Sequence, residues 1–216
     1  MISVLLMRLS NKIVLASLNR EKFDEFKSLL KAYPEIELIP AEQVMRNAEK
    51  LQFAETFETY LENATAKARL TNQACHYSSL ADDSGLEVAA LEGKPGVKSH
   101  RYAPPKAKLT QDQANLEFLL QELKGSSNRA ARFVCTLVLV IEGIQLTSTG
   151  ILEGTLIDSP RGTNGFGYDP LFIPKGETRT LAEMTHEDKN RISHRAKAVH
   201  SLMHQVREHG IVFAKP

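Results

Sequence analysis

Cysteine is scarce in this chain of 216 residues, with Cys75 and Cys135 the only two. No C-x-x-C pair and no paired Cys/His spacing occurs, so a zinc ribbon or a secreted disulfide framework is excluded and a reducing compartment is expected. Long apolar runs are missing too: none reaches the roughly 18–20 residues that a membrane helix needs. Neither charge sign dominates, since 27 Lys plus Arg face 26 Asp plus Glu for a net charge of +1. That balance offers no general attraction for a polyanion, so neither a nucleic-acid nor a membrane partner is expected, and the cytoplasm is the default location. Internal repeats and low-complexity tracts are likewise absent. The opening MISVLLMRLSN is too short in its apolar part for an export signal and lacks a basic leader, so 1–11 reads as an N-terminal extension. What remains is ordinary globular composition, 42% hydrophobic and 25% charged. At roughly 150 residues per domain, 12–210 should form a single domain or two close lobes.

Strands and helices mix along the chain. KIVLAS (12–17) reads as a buried strand, followed by Asn19 at a helix N-cap and by Phe23, Phe26, Leu29 and Leu30 at helical spacing up to Pro34. EIELIP (35–40) alternates like a second strand. A polar, irregular segment at 41–58 precedes a helix from Thr59 to about Asn72, with Leu61, Ala64 and Ala68 on one face. SLADDSGLEVAAL (79–91) predicts two short strands around a turn at Asp83-Ser84-Gly85, and GKPG (93–96) a further turn. Thr110 and Gln113 make a capping box for a helix over 111–124 with a leucine stripe. Residues 131–142 and 144–157 predict two long strands joined by a tight turn at Glu142-Gly143. A glycine-rich segment (159–170) and LFIP follow, and Thr185 should cap one last helix running to about Glu208. The fold class is α/β with a mixed sheet.

Four segments carry possible chemistry. Ser17-Leu18-Asn19-Arg20-Glu21-Lys22 spans a strand-to-helix junction, where free amides and the helix dipole favour a phosphate. Lys22 in the first turn opposes that dipole, a cost that a bound anion would offset, although a solvated lysine beside Glu21 or Glu25 explains it as well. Asp82-Asp83-Ser84-Gly85 places two carboxylates together, suited to Mg²⁺ with waters and substrate phosphates, and an Asx turn is the alternative. Glu55 offers a further carboxylate. GTNGFGYDP (162–170) allows close backbone approach at its glycines, with Phe166 and Tyr168 available to a flat base, or it is a structural hairpin loop. Its G-x-x-G-x-G order is not the dinucleotide fingerprint, and no Walker A loop, H-E-x-x-H or G-x-S-x-G is present. DKNRISHRAKAVH (188–200) is locally basic through Lys189, His194 and Arg195, either as a solvated face or as donors to oxygen acceptors.

In combination these segments are more specific than apart. VLASLNREKFDE (14–25), TYLENATAKA (59–68), ADDSGLEVAALEGKPGVKSHRYA (81–103), RGTNGFGYDPLFIP (161–174) and AEMTHEDKNRISHRAKA (182–198) follow one another in order. With these blocks the chain resembles the inosine/xanthosine triphosphate pyrophosphatase family. The resemblance implies an elongated mixed β-sheet with flanking helices, two lobes around a central active-site cleft, a homodimer, and Mg²⁺-dependent cleavage of ITP, dITP and XTP to monophosphate and pyrophosphate. By motif position it implies that Ser17, Leu18, Asn19 and Lys22 hold phosphates. Asp83 would bind metal with Glu55 and accept a proton, Asp82 would support it, and Ser84 would touch substrate. Phe166, Gly167, Tyr168 and Asp169 would line the base and sugar pocket, with Lys189, His194 and Arg195 opposite. The chain departs from the family at Leu18, where glycine is usual, and at Ala54-Glu55, where two glutamates often stand. A Maf-like pyrophosphatase for pyrimidine or modified nucleotides and a non-catalytic nucleotide-binding module remain the alternative readings.

Overall fold

The computed structural model describes residues 7–54 and 56–214. Its strands are β1 (Met7–Leu9), β2 (Lys12–Leu15), β3 (Glu37–Pro40), β4 (Ser78–Val88), β5 (Ala130–Ile141), β6 (Ile144–Leu156), β7 (Phe172–Pro174) and β8 (Ile211–Phe213). Its helices are α1 (Arg20–Leu29), α2 (Tyr60–Cys75), α3 (Gln111–Glu122), α4 (His186–Ile192) and α5 (His194–Glu208). A six-stranded sheet has the order β3-β2-β4-β5-β6-β7. Within it β2 runs parallel to β3 and to β4 while β7 runs antiparallel to β6, so the expected mixed sheet is present. β1 pairs in parallel with β8 in a separate two-stranded sheet, ordering part of the stretch expected to be an extension. Among the described residues no helix is long and apolar enough to cross a membrane.

By contacts the chain divides into two compact units. The first comprises 1–83, 136–150 and 196–216. Its core joins Val14, Ile39, Ala64, Ala68, Ala81 and Val138. The second comprises 84–135 and 151–195, with Leu86, Val88, Leu119, Leu123, Phe133 and Phe172 among its core residues.

Local chemistry accounts for the element ends. Asn19 accepts the Lys22 amide at 2.9 Å and starts α1, and Thr59 does the same for Glu62 at the start of α2. The capping box of Thr110 and Gln113 opens α3. Glu142 and Gly143, at φ 45° and 78°, make the left-handed two-residue turn that suits a twisted hairpin between β5 and β6.

Four expectations differ from the structure. Asp83-Ser84-Gly85 does not turn, because β4 continues through it from Ser78 to Val88. Buried Leu80, Ala81, Leu86 and Val88 on both sides hold the chain extended and override the turn preference of D-S-G. Leu61 is 46% exposed. The buried face of α2 passes instead through Asn63, Ala64, Lys67, Ala68 and Thr71. α1 stops at Leu29 and tightens into a 3₁₀ turn over Leu30–Ala32 before Pro34. The last helix is two helices, since Ser193 adopts φ −60° and ψ 155°, closing α4 and standing just before α5, where serine is a favoured cap.

Candidate active site

In the first unit the chemistry gathers on β4. Asp82 and Asp83 are 0% and 4% exposed, so their charge must be met by protein groups. Lys22, presented by the first turn of α1, places Nζ 2.8 Å from Asp82 Oδ2. Lys67, from the buried face of α2, donates to the Asp82 carbonyl at 2.5 Å. Its ammonium lies 3.9 Å from Asp83 Oδ1. Asn63, one turn earlier on α2, donates Nδ2 to Asp83 Oδ2 at 3.0 Å. The same amide group exchanges bonds with the Phe57 backbone, accepting from its N–H at 2.9 Å and donating to its carbonyl at 3.1 Å. Two ammonium groups therefore meet two consecutive acidic residues in one cluster, which brings Lys22, Asp82 and Asp83 together.

The loop before α1 forms a second feature of this unit. Ser17, Leu18 and Asn19 line a cavity of about 420 Å³, together with Arg20, Phe23 and Lys27. Ser17 Oγ accepts the Asn19 amide at 3.2 Å. Leu18 packs against the core of the unit, so its bulk is partly accommodated away from the loop backbone. Lys22 does not line this cavity, being engaged with Asp82.

The second unit holds the other candidates. Ser84, half-buried, follows Asp83 on β4. In the 165–169 loop, Gly165 and Gly167 take φ +72° and +60°, the left-handed region that favours glycine. A Cβ on Gly165 would collide with the Asp169 carboxylate. That carboxylate is buried and accepts the Phe166 amide at 3.0 Å and Lys189 Nζ at 2.6 Å. Gly167 donates its amide to Asp112 Oδ2 at 2.8 Å. Tyr168 donates its hydroxyl to the Ser99 carbonyl at 2.9 Å. Burial pushes that phenol far above the usual tyrosine range, with Tyr102 and Asp112 adding to the effect. Lys189 Nζ and the Arg195 guanidinium carbon each lie 5.0 Å from the centroid of Phe166. His194 stacks on Phe133, ring centroids 4.8 Å apart and planes 11° from parallel. An aromatic ring flanked by fixed N–H donors suits a flat heterocycle bearing oxygen acceptors.

Residues 13–205 match the family model described as the Ham1 family. The chain belongs to that family. Among its relatives, the dITP/XTP pyrophosphatase of Bacillus subtilis is 40% identical over 203 residues, covering 91% of this chain and 97% of the relative. The dITP/XTP pyrophosphatase of Aquifex aeolicus is 38% identical over 199 residues, covering 89% and 95%. A HAM1 protein structure from Coxiella burnetii matches with a TM-score of 0.77 at 38% identity, covering 91% of this chain and 98% of the other. The resemblance drawn from the DDSGLEV and GFGYDP blocks is thereby borne out.

Three residues that contact the candidate site residues were not singled out from the sequence: Asn63, Lys67 and Asp112. The first two had a legible signal, polar side chains four apart that interleave with Ala64 and Ala68 on one helical face. Asp112 had none, because its partner amide lies 55 residues away. Glu55 lies outside the described residues. Among the described residues no group of three or more His, Cys, Asp and Glu gathers. Asp83 supplies hard carboxylate oxygens, and Mg²⁺ is held by one or two such groups plus water and phosphate, so this residue fits it.

Proposed function

We propose that this Ham1-family chain hydrolyses the non-canonical purine nucleotides ITP, dITP and XTP at the α–β phosphoanhydride, releasing monophosphate and pyrophosphate, with Mg²⁺ as cofactor. The observation that carries the reading is the meeting of Lys22, Lys67 and Asn63 with the consecutive carboxylates Asp82 and Asp83. Cations and carboxylates held in one cluster are what a polyphosphate and its counter-cation require, and relatives named dITP/XTP pyrophosphatase set the substrate class. Water's oxygen adds to the α-phosphorus, its proton passes to Asp83, and the bond to the bridging oxygen breaks so that pyrophosphate leaves. Lys22, 16% exposed, is the more accessible ammonium, and it turns from Asp82 to the departing phosphates alongside the first-turn amides of α1. Ser17, Leu18 and Asn19 bound the space for that tail, and Ser84 contacts substrate. Bound through Asp83 and Glu55, Mg²⁺ would supply charge neutralisation on the phosphate oxygens. Asn63 and Lys67 keep the Asp83 carboxylate oriented throughout.

On the base side, Phe166, Gly167, Tyr168 and Asp169 form one wall, and Lys189, His194 and Arg195 offer donors to a 6-oxo group. Adenine presents a 6-amino donor there, leaving buried groups unpaired, so ATP is rejected. A homodimer in the cytoplasm completes the proposal. The test is incubation with ITP, dITP, XTP and ATP in Mg²⁺ and separate assay of pyrophosphate and orthophosphate. Stoichiometric pyrophosphate from the first three is expected, with ATP cut at least about 10²-fold more slowly. Orthophosphate as the primary product would overturn the cleavage position, and equal turnover of ATP would overturn the base assignment.

A further inference from the structure

Each part of the 165–169 loop has an anchor. Phe166 is tied through its amide to Asp169, and Tyr168 through its hydroxyl to Ser99. The amide between them, that of Gly167, goes to a carboxylate on a different element: Asp112, in the first turn of α3. α3 is itself firmly held. Its capping box closes the N-terminus, and buried Asn115 donates to the carbonyls of Ser99 and His100 at 3.2 and 3.0 Å and accepts the Ala103 amide at 2.8 Å. Asp112 thus stands on a rigid base, where the helix dipole also favours its charge. It spends that carboxylate on a backbone amide rather than on a cation.

We propose that Asp112 is a positioning residue for base recognition: by fixing the main chain at Gly167 it sets the plane of Phe166, the ring that Lys189 and Arg195 face. The physical reason is leverage. Gly167, at φ +60°, is conformationally permissive, and nothing lies within 4 Å of where its Cβ would be, so side-chain packing does not hold it. Without the bond from Asp112 the peptide after Phe166 can rock, and the ring rocks with it. The two cations at 5.0 Å from its centroid, Lys189 itself anchored by Asp169, then face a ring whose plane is no longer fixed. The inference rests on the reading that Phe166 faces the purine, and the experiment separates the two.

The chain contains no tryptophan, so Phe166→Trp introduces a lone indole at the ring in question. In that background, Asp112→Ala is expected to lower the steady-state anisotropy of the indole and Asp112→Asn, whose amide oxygen still accepts, to restore it. In the otherwise native chain, Asp112→Ala is expected to raise KM for dITP and XTP about 10-fold, the size of one lost hydrogen bond, with kcat changed less than about 2-fold. Asp112→Asn should return KM to near its original value. If Asp112→Ala does not fold, Asp112→Ser takes its place, being too short to reach Gly167 yet suited to a first helical turn. The proposal is overturned by an unchanged indole signal, by a loss in kcat with KM unmoved, or by Asp112→Asn being as defective as the alanine variant. The indole measurement needs no substrate. If no nucleotide is turned over, the functional reading fails while the anisotropy still decides the role of Asp112.

Discussion

Asn63 makes three hydrogen bonds from a side chain with no exposed surface, one to the Asp83 carboxylate and two to the Phe57 backbone. Asn63→Ala would strip partners from a carboxylate and from two main-chain groups at once. A loss of about 2–4 kcal/mol in urea unfolding is therefore expected, and less than 0.5 kcal/mol would contradict the geometry described here. Asp83→Asn is a different case. It keeps the side-chain volume and an oxygen that can still accept from Asn63, while removing the proton acceptor. Turnover of ITP should fall by at least about 10²-fold, and the urea midpoint should fall as well, since the buried Lys67 ammonium loses its counter-charge. Retained turnover in this variant would exclude Asp83 as the base. At this scale the sequence was informative where chemistry is written in neighbours, as in Asp82-Asp83 or Phe166 to Asp169. It was uninformative where a partner arrives from another element. The motif reading named Lys22 and Asp83, whereas the α2 residues that contact the two carboxylate residues, Asn63 and Lys67, emerge only once α2 is laid against β4.

Elements were legible to the extent that their ends are determined locally. The Thr110/Gln113 box and the Glu142-Gly143 turn are hydrogen-bond and φ requirements satisfied within four residues, and both stand as expected. The Asp-Ser-Gly segment was misread because its local turn preference competes with strand pairing and burial along β4, and those prevail. The break at Ser193 was missed because helical periodicity continues across it, with Ile192 and Val199 both directed to apolar surroundings. The 165–169 loop shows the reverse situation, with little secondary structure but tight geometry. Gly165→Ala would force a Cβ into the Asp169 carboxylate at a left-handed φ, displacing the acceptor that holds both the Phe166 amide and Lys189. Strain of about 1–3 kcal/mol is expected, together with a raised KM for dITP and weaker rejection of ATP. A variant with native KM and native discrimination would show that Asp169 does not transmit to the base pocket.

For the molecule as a whole, alkali is the informative perturbation. Burial, and then Glu122, raise the Tyr102 phenol to about 12, and burial carries Tyr168 higher still. In the unfolded chain both would ionise near about 10. The folded state therefore holds more protons than the unfolded state above that value. The stability these neutral phenols contribute is complete below about pH 10 and is lost as pH rises toward their folded values. For well-buried Tyr168 the loss approaches about 1.4 kcal/mol per pH unit, while partly exposed Tyr102 contributes less because solvent screens it. Lysines also titrate in this range, so the informative quantity is the difference between the native chain and Tyr168→Phe. The phenylalanine variant should be less stable at pH 8 by about 1 kcal/mol, having lost the bond to the Ser99 carbonyl. Its urea midpoint should then fall less steeply between pH 10 and 11.5, so that the two curves converge. Parallel curves would mean that Tyr168 ionises as easily folded as unfolded, which its burial and its hydrogen bond do not permit.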